Sequence, residues 1–400
     1  MKAAGRLILF AVLALLLSGC TNYLDLNRLE IVAGIAIDRN EEGYNVALEL
    51  LNLTETDPEG ALAFQVAEFS GKTIPAAMEN AKGRLTKELY FGNLQTIVIS
   101  RQIAEEEGIA SILDWFMRDS GLRETSMVVL STAETAKAVL EAKGEDMAIA
   151  AFAIEAIVNP PEKEMFQVRD TMLYRVYNAI HIEGKNIVLM AFDVNGSGEK
   201  AKDADQGSGE EKAGAEEDSA GPEESVLGVS GIGLFNGDRL VGFLPQENLN
   251  ALLVLREKGM QQTFAFPVSQ GGGYATFRVS RIKSERHMKE TGGGLTLCFD
   301  VKATGLLIQA PPGLDMSQRD AIESLQQDAT AFMKEYLLTT AEYLCRELKV
   351  DAIDAGYEVY KMDGRLWQEI KGDWDRLLPQ LPIEINMELH IAGTGSYKAS

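Results

Sequence analysis

Leu295-Thr296-Leu297-Cys298-Phe299-Asp300-Val301-Lys302-Ala303 alternates apolar and polar residues without a break, and a helical stripe follows soon after. Leu295, Leu297, Phe299, Val301 and Ala303 fall on one face, so the stretch predicts a strand buried on one side and wet on the other. Over 317–349 the period changes. Ile322, Leu325, Ala329, Phe332, Tyr336, Leu337, Ala341, Leu344 and Leu348 recur every three or four residues, with one step at 336 to 337. Ser317 with Asp320 resembles a capping box. Thirty-odd residues at 1.5 Å each make roughly 48 Å of helix. A one-sided sheet and a helix of that length bury their apolar faces best against each other. The fold expected is therefore α+β: mostly antiparallel mixed sheets packed with helices, with the long helix across the C-terminal sheet.

The flanking chain fits that frame. Downstream, Trp367, Ile370, Trp374 and Leu377 share a helical face that Gly372 interrupts, and Ile383, Ile385, Met387, Leu389 and Ile391 alternate with polar residues in a closing strand. Upstream, the pattern predicts strands over 263–268 and 274–282, a short helix over 245–256, and a hairpin, 226–235 with 240–244, around Asn236-Gly237-Asp238. The first half opens with strands over 31–37 and 44–53. Leu62, Phe64 and Val66 continue the period of two as an antiparallel meander. Helices are expected over 73–90, 103–118 and 133–140, strands over 94–100, 127–130 and 186–192, and further helices broken at Asn159-Pro160-Pro161.

Residues 195–225 differ in kind, with ten acidic and three basic residues and no large apolar side chain. Such a stretch cannot bury enough surface to offset its ordering entropy, so it reads as an acidic disordered linker. The expected organisation is a signal peptide over 1–19, an N-terminal α+β domain over 20–194, which two subdomains would make three in all, the linker over 195–225, and a C-terminal α+β domain over 226–400.

The signal rests on Leu17-Ser18-Gly19-Cys20. Lys2 and Arg6 lead, Leu7 to Leu17 form an uncharged apolar run of eleven residues, and small Ser18-Gly19 adjoin the scissile bond. Eleven is well short of the roughly 20 residues that span a bilayer. Cys20 is the lipid attachment site this layout implies, with cleavage between Gly19 and Cys20 and N-palmitoyl and S-diacylglyceryl groups on the cysteine. At about 0.8 kcal/mol per buried methylene, two chains hold where one would not. The net charge of −22 repels nucleic acid and anionic headgroups, so neither is an electrostatic partner. Three cysteines are too few for a disulfide scaffold; whether Cys298 and Cys345 pair is left open, Cys298 lying on the polar side of its strand.

Catalytic constellations are sparse. His181, His287 and His390 stand far apart, with no HExxH, no CxxC and no GxxxxGK[ST]. Gly228-Val229-Ser230-Gly231 misses the nucleophile-elbow spacing, and Gly231-Ile232-Gly233 misses the dinucleotide fingerprint by one residue. The carboxylates read as a solvated surface. No catalytic residue, cofactor or metal ligand is assigned.

Several stretches together resemble the Ger(x)C family, the C-subunit lipoproteins of spore germinant receptors. Glu30 to Asp38 resembles its apolar segment ending in Gly-x-x-x-Asp, here Gly34 and Asp38. Lys87-Glu88-Leu89-Tyr90-Phe91-Gly92-Asn93-Leu94 before Ile97-Val98-Ile99 resembles the helix-to-strand motif, and Phe116-Met117-Arg118-Asp119 with Leu122-Arg123 the next. Gly231 to Phe235 with Leu240 to Leu244 is similar to the hairpin that opens the C-terminal domain, and Trp367, Lys371, Trp374 and Ile391 to Gly395 are similar to its tail. Three positions depart: Thr21 replaces a tryptophan after the lipid cysteine, Asn93 a common histidine, and the acidic linker is long, suggesting loosely coupled halves. The resemblance implies a non-enzymatic lipoprotein at the outer face of the inner spore membrane or the cell membrane. It would assemble with A- and B-type integral-membrane subunits to trigger germination by nutrients. The alternative is a solute-binding lipoprotein of an importer, which wants alternating βαβ units rather than antiparallel meanders.

Overall fold

A computed structural model describes residues 28–56, 62–118, 121–159, 171–195, 225–256, 262–269, 272–292, 294–312, 314 and 318–393. The signal, Cys20, almost all of the expected linker and the capping-box residue Ser317 lie outside them.

The chain builds two sheets. β1 (Leu29–Arg39), β2 (Tyr44–Thr56) and β3 (Leu62–Gly71) form the expected meander. The helix read over 73–90 is shorter. α1 (Ile74–Arg84) is capped by the Thr73 hydroxyl and stops where Leu85 turns extended, and β4 (Glu88–Tyr90) then pairs parallel with the start of β1. β5 (Thr96–Ser100) follows. The helix expected over 103–118 is two, α2 (Arg101–Glu106) and α3 (Ala110–Arg118), parted at Gly108, whose φ of 84° no helix accommodates. Next come β6 (Met127–Ser131), α4 (Ala136–Glu141), α5 (Ala150–Val158), α6 (Leu173–Ile180) and β7 (Val188–Asn195). The hairpin of β8 (Val226–Asn236) and β9 (Arg239–Leu244) completes a sheet of order β3-β2-β1-β5-β6-β7-β8-β9, with β4 beside β1.

The sheets are mixed, with antiparallel pairings in the majority, as expected, and the first has a parallel centre. β1, β5, β6 and β7 run parallel, with antiparallel meanders only at the two edges. Both faces are covered. Ile97, Ile99, Val128 and Leu130 pack under α1, α2, α3 and α6, whereas Val98, Val129 and Phe192 pack under α4 and α5. That is why these strands read as unbroken apolar runs.

Asn195 is in register with Val226, so the strands on either side of the acidic segment are neighbours in one sheet, and β8 and β9 belong to the first sheet. The division between sheets falls after Leu244.

The second sheet follows α7 (Leu249–Leu255) and has the order β10 (Gln262–Pro267), β11 (Tyr274–Thr291), β12 (Gly294–Gln309), β13 (Ile383–Gly393), with only β12 and β13 parallel. The alternation over 295–303 is the middle of a longer β12. Leu297, Phe299 and Val301 join Leu325, Ala329, Met333 and Leu337 of α8 (Arg319–Glu342) in one core. Gln318 precedes the helix without a side-chain cap, and a π turn, Tyr343–Glu347, carries the helical run to Leu348. α9 (Ala355–Met362), α10 (Gly364–Ile370) and α11 (Trp374–Leu377) lead into β13. Cys298 and Cys345 are both buried and unpaired with each other. Cys298 does face the polar side of β12, but β11 and β13 flank it and the Glu384 carboxylate lies 3.7 Å from its sulfur.

Gly34 marks a close approach. It follows a bulge in β1, and a Cβ there would lie 2.8 Å from Leu140 and 3.0 Å from Ala151, on the two helices that cover this face. Gly34→Ala should lower stability by about 1–3 kcal/mol through overpacking. Urea unfolding should show a reduced midpoint with an unchanged slope; an unaltered midpoint would show that α4 and α5 adjust freely.

Candidate functional site

Cys20, the one position the sequence assigns by chemistry, lies outside the described residues; β1 begins nine residues later, at Leu29. Because β1, β4, β5 and β6 are parallel, their starts share one edge of the first sheet. That edge carries Tyr90, 42% exposed, and a groove lined by Met78, Leu89, Phe91, Trp115 and Leu122, with Lys82 and Lys87 beside it.

A second feature lies where the two sheets meet. The chain leaves the π turn through Lys349 and Asp354, both at φ 54°, and this strained segment places two carboxylates inward. Asp351 accepts from the Ala355 and Gly356 N–H groups, each at 2.7 Å, and from Trp374 Nε1 at 3.0 Å. Gly356 is required here, since a Cβ would meet the Trp367 ring at 2.7 Å. Trp367 stands edge-on to Trp374 and donates to Glu183 at 2.9 Å, a residue from the loop before β7. Asp354 receives Arg256 at 3.3 Å and Arg286 at 3.8 Å. Arg286 also donates to Glu358 at 3.1 Å and to the Leu255 carbonyl. Asn186 binds across the junction, its N–H and Nδ2 donating to Asp354 and the Asp351 carbonyl while its Oδ1 accepts from Gly237 of the β8–β9 turn. Arg256, Arg286, Asp351, Asp354 and Glu358 are all buried.

These residues went unnoticed in the sequence. There the carboxylates read as solvated surface, and the structure overturns that for Glu49, Asp351, Asp354 and Glu358. The Val350-Asp351-Ala352-Ile353-Asp354-Ala355 spacing was a visible sign, two acids in an apolar frame. Their counter-charges lie roughly 70 to 100 positions away and could not be matched to them. Other inward carboxylates hold helices: Asp38 accepts from Ala136 and Lys137 at the start of α4, and Glu49 from Ala150 and Ala151 at the start of α5. Asp38 and Gly34, the two fixed positions of Gly-x-x-x-Asp, thus dock the helices of one face. Among the described residues no three His, Cys, Asp or Glu side chains cluster as metal ligands. His181, His287 and His390 stay apart, and His390 is exposed as its place on the polar face implied.

Burial pushes the Glu49 carboxyl up to about 7 against the pull of the Ala151 and Ala150 N–H groups. Burial likewise raises Asp351 to about 6, with the Gly356 N–H opposing it and nearby Asp354 adding to it.

Comparisons with known proteins match both halves. Residues 22–194 match the family model described as the spore germination protein N-terminal domain, and residues 230–395 the model described as spore germination B3/GerAC like, C-terminal. Among curated relatives from Bacillus subtilis (strain 168), spore germination protein KC is 21% identical, with 98% of this chain and 96% of the relative aligned. Spore germination protein B3 is 20% identical over 99% of each, and a putative spore germination protein, YfkR, 20% identical over 96% and 95%. The crystal structure of the GerBC protein superposes with a TM-score of 0.54 at 14% identity, covering 90% of this chain and 97% of that one, and so shares the fold.

Two outcomes follow from this geometry. Arg286→Ala leaves Glu358 and Asp354 buried and undercompensated, and should cost about 3–5 kcal/mol in denaturant unfolding; a loss below 1 kcal/mol would show that water replaces the guanidinium. Glu49 sits above its ordinary value of 4.5, so the folded chain binds more protons than the unfolded one between there and about 7. Its contribution is fully present below about pH 4.5 and is lost as pH rises through 7, by an amount on the order of 3 kcal/mol. Glu49→Gln should flatten the decline between pH 5 and 8, and an identical slope in both proteins would contradict the assignment.

Proposed function

Because the chain belongs to the Ger(x)C family of spore germination proteins, we propose that it is the lipid-anchored C subunit of a nutrient germinant receptor. It is held at the membrane by Cys20 and assembled with A- and B-type integral-membrane subunits. The observation that carries this reading is where the family match begins. It starts at residue 22, immediately behind Cys20, and so leaves the lipoprotein-type leader outside the folded family domain. Among the described residues no helix is long and apolar enough to cross a membrane, and attachment in this reading rests on the cysteine. The lipid confines the protein to two dimensions, which raises its effective concentration beside membrane partners so that modest interfaces suffice.

The anchor also sets an orientation. Eight residues lie between Cys20 and Leu29, and the nine steps that join the two, at up to 3.6 Å each, reach about 30 Å. The edge where β1 begins therefore stays within that distance of the bilayer, and the groove at Phe91 and Trp115 faces the membrane subunits. A non-catalytic role is favoured by the use of the inward carboxylates, which are committed to helix N-termini and guanidinium groups.

Cys20→Ala should move the protein from the membrane to the soluble fraction, and co-purification with two multi-spanning proteins should disappear with it. Mass spectrometry of the native wild type finding an unmodified leading thiol, or normal complex assembly by Cys20→Ala, would refute the anchoring role.

A further inference from the structure

The groove on the edge where β1 begins has a volume of about 510 Å³, with Glu88 in its wall beside Met78, Leu89, Phe91, Trp115 and Leu122. Met78 and Leu122 belong to the core beneath, whereas Leu89, Phe91 and Trp115 are only partly covered. Large apolar side chains left half open in one concave place mark a surface that a partner covers. The cations beside it are already engaged, Lys82 with Glu79 at 2.7 Å and Lys87 with Glu30 at 3.5 Å. What the groove lacks is an apolar filling rather than a counter-charge.

The chain itself supplies one. Glu88 is the ladder partner of Leu29, the first residue of β1, so whatever precedes Leu29 leaves the sheet beside the groove. The residues before Arg28 are Thr21-Asn22-Tyr23-Leu24-Asp25-Leu26-Asn27, which lie outside the described residues and hold three large apolar side chains. Leu26 stands three steps from Leu29 and Leu24 five, hence within about 11 and 18 Å of it at full extension. In an extended run Leu24 and Leu26 fall on one side and Asp25 on the other. A segment tethered this closely meets the groove at an effective concentration on the order of millimolar, ahead of any partner that must arrive from solution or from the membrane.

We propose that residues 21–27 dock in this groove as an intramolecular strap, with Leu24 and Leu26 seated against Phe91, Trp115 and Leu122. The docking does not depend on lipid at Cys20, because strap and groove belong to one chain. Joined to the anchor reading, it shortens the leash. The free length then runs from Cys20 to Leu24, four steps of up to 3.6 Å or about 14 Å, in place of the nine steps to Leu29. The first sheet is thereby held close to the bilayer in one orientation, where an undocked segment would let it swing.

The test uses the full chain in isolated membranes, with Leu24→p-benzoylphenylalanine as a photo-cross-linker. Ultraviolet irradiation and peptide mass spectrometry should join position 24 to Leu89, Phe91, Trp115 or Leu122 in a product of monomer mass. A cross-link to phospholipid, to another polypeptide or to a second copy, with no such intrachain product, would overturn the proposal. A thermal measurement on the purified chain gives an independent check. Leu24→Ser with Leu26→Ser, and separately Phe91→Ala, should each lower the melting temperature by at least about 2 °C. All three substitutions together should fall no further than the larger of those two losses, because they remove the same contact; additive losses would show separate partners and count against docking. The same intrachain cross-link on a chain whose Cys20 carries no lipid would support the strap while refuting the anchor, so the two readings fail separately.

Discussion

Two sheets that share no ladder hydrogen bond need something to fix their relative placement, and here it is a set of mutually dependent buried charges. Apolar contact between the sheets is non-directional and tolerates sliding. Asp354 tolerates none: it is reached by Arg256 from the end of α7, by Arg286 from β11 and by the Asn186 N–H from the loop before β7. Removing any partner strands a charge in a low-dielectric setting, which costs more than the pair contributes when intact. Tyr357, Trp367 and the Gly237 turn then take their places around that fixed point.

The same economy recurs within the first sheet. A helix N-terminus offers unpaired N–H groups and partial positive charge, and an inward carboxylate on a strand satisfies both. Asp38 and Glu49 do this for α4 and α5, and Asp238 reaches the Ala110 N–H of α3 from the β8–β9 turn. The acidity of the chain is thus partly structural. Burial lifts Glu49 and Asp351 far above ordinary carboxylate values and raises Asp38 as well, so Glu49 and Asp351 make the folded state more stable in mild acid than in mild base.

How much of this was legible follows from the range of each signal. Period-two alternation in 295–303 and the stripe over 322–348 are local, and both gave the right elements and the right mutual packing. The Asn236-Gly237 hairpin was legible for the same reason. What failed was anything decided by a distant partner. Whether 94–100 pairs parallel or antiparallel depends on helices placed later in the chain, and its unbroken apolar character was the only hint. Glu49 looks like the wet side of β2 until α5 arrives to cover it. The predicted strand stops at Ile282, but Arg286 and Met288 continue its inward period, and the inward guanidinium is what the junction requires. The reading of Cys20 rests on the sequence alone, since that residue lies outside the described ones.

The length of the acidic segment is best understood from its ends. Asn195 and Val226 face each other across one strand spacing, about 4.8 Å, so everything between them is a hairpin insertion within a single sheet. Closing a loop costs free energy only as the logarithm of its length, roughly 0.6 kcal/mol per doubling. Lengthening it therefore takes little from stability. Its charge has a different consequence. Ten acids and three bases lie between residues that pair at the edge where β7 ends and β8 begins, and like charges so dense in sequence disfavour burial in either core.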